Sequence, residues 1–253
     1  MKLTDISWIK AEEYFKENDI VLLSVGSVES HGRHMPLGTD TIIPMYLLDK
    51  IEEKSNVLIA PTIPFGCTDE LENYSGTVNI SANALYLYIS DVVNSLYNHG
   101  ARKFVFLNGH GGNCKVLNNI GYDLDKKGAV CAVLNWWLMA WDLNPKWKGG
   151  HGGAEETSAI LGINPDLVDR NQMGEEANFE NLTPEIKFNG FRSATYKGVK
   201  IDITRRIDRI TDTGGWVGAD HPKNATEEWG KEMLSATADY IVDFLEEFKK
   251  VEI

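Results

Sequence analysis

The chain has 253 residues, a formal net charge of −12 and 43% hydrophobic residues, which suits one substantial α/β core better than two small ones. The acidic balance, with Lys and Arg scattered rather than clustered, argues against nucleic acid or an anionic membrane as the main partner. Three cysteines, Cys67, Cys114 and Cys131, show no C-x-x-C spacing and leave an odd count, so the expectation is a reduced, cytoplasmic protein without a disulfide framework.

The opening stretch MKLTDISWIKAEEYFKEN reads as an amphipathic helix lacking the apolar centre of a signal peptide. No run approaches the length of a membrane span. Short β-rich runs then alternate with helical patterns: strands at Ile20–Val25, Val57–Ala60, Lys103–Leu107 and Ala129–Leu134, with helices at about Ile43–Lys54, Ala84–Asn98 and Cys114–Lys127. Leu85, Ile89, Val92, Val93 and Leu96 recur at helical spacing and face a core, and Gly100 and Gly128 suit C-caps. Asn171–Asp212 is polar, weakly periodic and Gly-punctuated, a loop-rich excursion with room for a hairpin and not a separate domain. A last helix spans about Ala225–Lys249, opened by Asn224 and the acidic turn Glu227-Glu228. The alternation predicts β-α units around a mainly parallel sheet within one domain, residues 1–253.

Three places concentrate chemistry. The first, SVGSVESHGRHMPLGTD at residues 24–40, follows the buried strand Ile20–Val25. In an extended chain Glu29 and His31 project to the same side, and Asp40 can swing back past the PLGT turn. Carboxylate, imidazole and carboxylate suit Zn, Mn or Fe. The competing reading is a polar loop in which Thr39 or Asp40 caps the next helix. His34 is out of phase with the pair and reads as structural support.

The second, FVFLNGHGGN at residues 104–113, takes a strand into a glycine turn carrying His110, at the strand end where parallel sheets gather ligands. A phosphate cradle is the alternative, but neither G-x-G-x-x-G nor G-K-[ST] is present. In the third, GGHGGAEETSAILGI at residues 149–163, a helix from Ala154 puts Glu156 at the head of an inward stripe with Ala159, Ile160 and Ile163. Buried there, Glu156 needs a partner; stabilisation by the helix N-terminus is the alternative. Glu155 falls off the stripe toward solvent. His151, in its glycine turn, suits a residue that faces substrate.

Together Glu29, His31, Asp40, His110 and Glu156 suffice for two divalent ions with one carboxylate bridging. Two such ions bring four positive charges and three carboxylates remove three; a bridging hydroxide would balance the rest and serve as nucleophile.

These segments resemble the creatininase family. VGSVESHGRHMPLGTD follows its opening motif with Ser30 for the usual Gln, NGHGGN matches its second motif, and HGGAEETS is similar to its third. GADHPKNATEEWG and the YSGT of residues 74–77 also look like family segments, so the likeness runs from Val25 to Gly230 in family order. The resemblance implies a three-layer αβα sandwich with a mainly parallel sheet, a dinuclear Zn or Mn centre and a homohexamer. It implies hydrolysis of a non-peptide C–N bond in a small amide, with creatinine the leading candidate. By carry-over, Glu29 and His110 hold one ion, His31 the other, and Asp40 bridges. His151 orients substrate or shuttles its proton.

Trp147, Trp136 and Trp137, with Tyr74 and Ser75 of YSGT, are the candidates for touching substrate. Gly112 stands where creatininase proper carries a glutamate ligand, and Glu156 is the replacement, as a ligand or as an acid–base group. Alternatives stay open: the same site in a deformylase of a ribosylated pyrimidine, a trimming peptidase, or a silent subunit that uses metal only to stabilise an oligomer.

Overall fold

The computed structural model describes residues 1–175 and 178–253. Helix α1 (Trp8–Glu17), capped by Ser7, precedes strand β1 (Ile20–Val25), whose six residues are all buried. Then come α2 (Thr39–Glu52), β2 (Leu58–Ile59), α3 (Ala82–Asn98), β3 (Lys103–Asn108), α4 (Cys114–Asp125) and β4 (Val130–Asn135). The four strands form a parallel sheet in the order β2-β1-β3-β4.

Strands buried on both faces, as β1 and β3 are, are apolar along most of their length, which is why these runs show no alternation. Successive side chains instead serve opposite cores. Ile20 and Leu22 of β1, with Val105 and Leu107 of β3, pack on the α2 side among Ile43, Leu47 and Ile51. Val21, Leu23, Phe104 and Phe106 pack on the other side against α3 and α4, through Leu85, Ile89, Val116 and Leu117. These are the three layers expected.

Helix α5 (Trp136–Leu143) follows β4 directly and had no counterpart in the sequence reading; its Trp136 and Ala140 join the α2-side core. Helix α6 (Ala154–Ile163) buries eight consecutive residues, Ala154–Leu161. Helix α7 (Glu227–Phe248) lies so close to it that a Cβ on Gly230 would sit 1.8 Å from the Ser158 carbonyl oxygen. Its N-cap is Thr226, whose hydroxyl accepts from the Trp229 N–H, and not Asn224.

The excursion holds more than a hairpin. Strands β5 (Ile186–Gly190), β6 (Ser193–Tyr196) and β7 (Val199–Asp202) form an antiparallel meander over a small apolar cluster of Leu71, Phe188, Ala194, Ile207 and Ile210. No helix among the described residues is long and apolar enough to cross a membrane.

Strand order positions the site. From β1 the chain passes to α2 on one face, and from β3 to α4 on the other. The loops leaving these neighbouring strands therefore diverge and open a crevice at the carboxyl edge of the sheet.

Candidate metal centre and cleft

The loop after β1 delivers Glu29 and His31, the first turn of α2 delivers Asp40, the turn after β3 delivers His110, the glycine turn before α6 delivers His151, and the first turn of α6 delivers Glu156. Their heads converge. Asp40 is the hub: Oδ1 lies 2.9 Å from His31 Nε2, and Oδ2 lies 2.9 Å from His110 Nδ1. Glu29 Oε1 is 3.2 Å from His110 Nδ1, and Glu156 Oε2 is 3.5 Å from His31 Nε2. Two donor groups thus share Asp40: Glu29/Asp40/His110 and His31/Asp40/Glu156, each within 4.8 Å.

Capping is not what Asp40 does. Gly38 is the N-cap of α2 and gives no side-chain bond, while Ser27 Oγ donates to Asp40 Oδ2 at 2.9 Å. Close approach explains the glycines of the second motif: a Cβ on Gly109 would lie 1.9 Å from the Asp40 carbonyl oxygen. One on Gly112 would lie 1.9 Å from the Cys67 carbonyl oxygen and 2.5 Å from His110 Nε2. A glutamate cannot stand at Gly112 without displacing His110, and Glu156 supplies the third carboxylate from the opposite side.

The donor set fits divalent cations. Glu29 is fully buried and accepts no well-aligned hydrogen bond; the His110 ring, 3.2 Å from Oε1, is its nearest counter-charge, a sparse set of partners for a buried carboxylate. Burial works against a charged His31, yet Asp40, Glu156 and Glu29 outweigh it and push its pKa up to about 10. His110 is likewise raised, against burial, by Glu29 and Asp40. Asp40 is held well below the usual carboxylate range because His31 and His110 overcome its burial. Burial, together with Asp40, raises Glu156 to about 7 against the pull of His31. So dense a carboxylate cluster calls for positive charge, and bound cations would deprotonate the imidazoles and take that role.

His151 stands apart electrostatically. Its Nε2 lies 2.8 Å from the Ser30 carbonyl oxygen, which fixes Nε2–H as donor and leaves the Nδ1 lone pair free, 3.6 Å from Glu29 Oε1. Burial and the nearby His31 press its pKa well below the usual histidine value, so the ring is neutral. It lies 4.2 Å from the His31 ring, and Phe191 meets it edge-on at 4.9 Å.

A cleft of about 910 Å³ opens over the cluster, bordered by Trp137, Trp141, Glu155, Lys115, Tyr86 and Phe191 among others. Several expectations are corrected here. Trp136 is fully buried in the core and Trp147 is 7% exposed within it, because α5 turns Trp136 inward and the following turn tucks Trp147 beneath. Tyr74 packs against the meander cluster and Ser75 points to solvent, so neither borders the cleft. The same YSGT stretch instead braces the opening loop, Thr77 Oγ1 accepting from the Ser30 N–H at 3.2 Å.

Glu155 is fully buried, not solvent-facing: α6 is enclosed all round, and Glu155 Oε2 accepts from the Gly149 N–H at 3.1 Å. Burial and the adjacent Glu156 raise its pKa to about 9, so this carboxyl is protonated at neutral pH. Glu155, Trp141 and Phe191 went unnoticed in the sequence. For Trp141 a signal existed, since it lies four residues from Trp137 and therefore on the same helical face.

The family model for creatininase, described as creatinine amidohydrolase, matches residues 4–245. The chain belongs to the creatininase family. Creatininase-family proteins are metal-dependent hydrolases of amide C–N bonds, and this chain is one of them. It is 30% identical to a creatinine amidohydrolase of Pseudomonas putida over 189 residues, 65% of this chain and 72% of the relative. It is 32% identical to a mycofactocin precursor peptide peptidase of Mycolicibacterium smegmatis over 198 residues, covering 73% and 75%. A solved structure described as "Creatininase Mn" superposes with a TM-score of 0.75 over 99% of both chains at 24% identity, which establishes the creatininase fold.

Proposed function

We propose that this chain hydrolyses the amide bond of a small molecule larger than creatinine at a dinuclear centre. Glu29, Asp40 and His110 would hold one ion, His31, Asp40 and Glu156 the other, with Asp40 shared. The observation that carries this reading is the pair of donor groups meeting at Asp40 beneath an open cleft. Two such ions would supply Lewis-acid polarisation of a carbonyl and activation of water near neutral pH.

The rest of the chemistry falls to the chain. His151, neutral and with Nε2 committed to the Ser30 carbonyl, offers Nδ1 as the atom that takes a proton and hands it to the leaving nitrogen. Phe191 and the Trp137–Trp141 face give the substrate an apolar wall. Glu155, buried behind the cleft and protonated, adds no negative charge beside Glu156. The size of the cleft, about 910 Å³, favours a substituted amide over bare creatinine. Creatinine remains the second reading, on the likeness to the Pseudomonas putida relative.

The test is metal analysis and turnover on three substrates: creatinine scored as creatine, an N-formyl aminopyrimidine scored as formate, and a short peptide scored by mass. Two ions per chain with turnover of at least one amide is expected, and Asp40→Asn should lose both. Full turnover by metal-free Asp40→Asn protein would refute the reading. Two bound ions without turnover on any amide would favour the silent subunit instead.

A further inference from the structure

Four of the seven arginines of this acidic chain, Arg192, Arg205, Arg206 and Arg209, line one recess. The expectation of scattered basic residues is thereby corrected: Arg192 reaches the other three from the turn between β5 and β6. The recess encloses about 580 Å³, and Asp69, Glu70, Glu72 and Thr204 complete its walls. It adjoins the cleft, since Asp69, Glu70 and Arg192 border both.

Counting charges shows what the recess lacks. Arg192 Nε lies 3.2 Å from Glu70 Oε1, and Arg206 Nη2 lies 2.8 Å from Glu72 Oε1. Asp69 accepts from Asn79 Nδ2 at 2.7 Å. Arg205 and Arg209 have no carboxylate partner among the described residues, although the chain carries twelve more acidic than basic groups. Solvated surface arginines are common, but these stand on a fastened backbone. Ile207 and Ile210, between and beside them, are fully buried in the meander cluster, and the Ile207 N–H donates to the Glu70 carbonyl at 3.0 Å. Arg192 occupies a left-handed turn position, φ +48°, which glycine or asparagine would take at lower cost.

We propose that this recess is a subsite for a phosphate monoester carried by the substrate, whose amide reaches the carboxylate–histidine cluster alongside. The assignment rests on the amide-hydrolase reading above. Four guanidinium groups against Asp69, Glu70 and Glu72 leave the recess one net positive charge, with Arg205 and Arg209 outside any ion pair; a phosphate monoester offers these two groups three acceptor oxygens, where a monocarboxylate offers two. The guanidinium fork also presents its N–H groups in the geometry that phosphate oxygens accept.

The test titrates phenyl phosphate, benzoate and benzyl alcohol into metal-loaded protein by calorimetry, repeated with R205Q/R209Q and with Asp40→Asn. Phenyl phosphate should bind about tenfold or more tighter than benzoate, with benzyl alcohol weaker still. R205Q/R209Q, its fold checked by circular dichroism, should lose about tenfold or more of that affinity, and Asp40→Asn none of it. Benzoate binding as tightly as phenyl phosphate, or unchanged affinity in R205Q/R209Q, overturns the subsite. Loss of binding in Asp40→Asn would locate the anion at the metal centre and overturn it equally. Failure of the hydrolase reading gives a different result: phenyl phosphate bound normally by a protein that cleaves no amide.

Discussion

Replacing His34 with glutamine should remove a pH-dependent part of the protein's stability. The His34 ring is 2% exposed and joins the opening loop to α6: its Nε2–H donates to Thr157 Oγ1 at 3.0 Å, and the Thr157 hydroxyl donates to Met35 Sδ at 2.9 Å. Nδ1 has no partner, so a second proton would be buried unpaired. Burial, reinforced by His31 and His221, depresses the pKa to about 4. An unfolded chain protonates the same ring near 6.5, so on acidification the unfolded state takes up the proton first.

The stability contributed by the neutral ring is therefore intact above about pH 6.5 and lost as the pH falls toward about 4. At 1.36 kcal/mol per unit the full loss is about 3 kcal/mol, of which about 2 kcal/mol has gone by about pH 5. Urea unfolding of chelator-treated protein at about pH 7.5 and about pH 5 measures it, the chelator removing proton-linked metal release. His34→Gln keeps a donor for Thr157 but cannot titrate, so between those two conditions it should lose about 2 kcal/mol less than the natural chain. Equal losses in the two proteins would mean that the ring is not buried neutral, and the reasoning would fail.

Other substitutions probe the centre and its frame. Gly112→Ala drives a methyl group into the Cys67 carbonyl and the His110 ring, so metal content measured by emission spectrometry should fall while the far-ultraviolet spectrum stays native. Gly230→Ala pushes α7 away from the Ser158 carbonyl and should cost about 1–3 kcal/mol or more in urea unfolding. His151→Ala should retain metal yet lower kcat by about 10²- to 10⁴-fold on whichever amide is turned over. Metal lost in that variant would make His151 a ligand, since it also lies within 4.8 Å of donor atoms on Glu29 and His31.

Much of this architecture was legible in the chain because fully buried strands announce themselves. Ile20–Val25 is apolar but for Ser24 and its pattern marks both ends of β1, whereas β2 spans only Leu58–Ile59 where the pattern predicts Val57–Ala60. The cluster was legible because its members sit next to turns whose glycines have no other purpose, as at Gly109 beneath Asp40. What escaped depends on long-range packing. Local periodicity sent Glu155 outward, but α7 and the glycine turn cover the face it was assigned. The adjacent Trp136 and Trp137 could not be told apart until α5 was known to be a helix, which puts one in the core and its neighbour on the cleft wall. Phe191 and Arg192 come from a meander whose turns carry no catalytic motif, and only the third dimension brings them to His151 and to the arginine recess.

The carbonyl that steadies the His151 imidazole belongs to Ser30, which stands between Glu29 and His31 in the chain. One short strip of backbone therefore carries two of the candidate metal donors and also the acceptor that restrains the His151 ring. Any displacement of this strip would pass to the ring through that single acceptor, so the aim of the imidazole depends on the same three residues that present the donors.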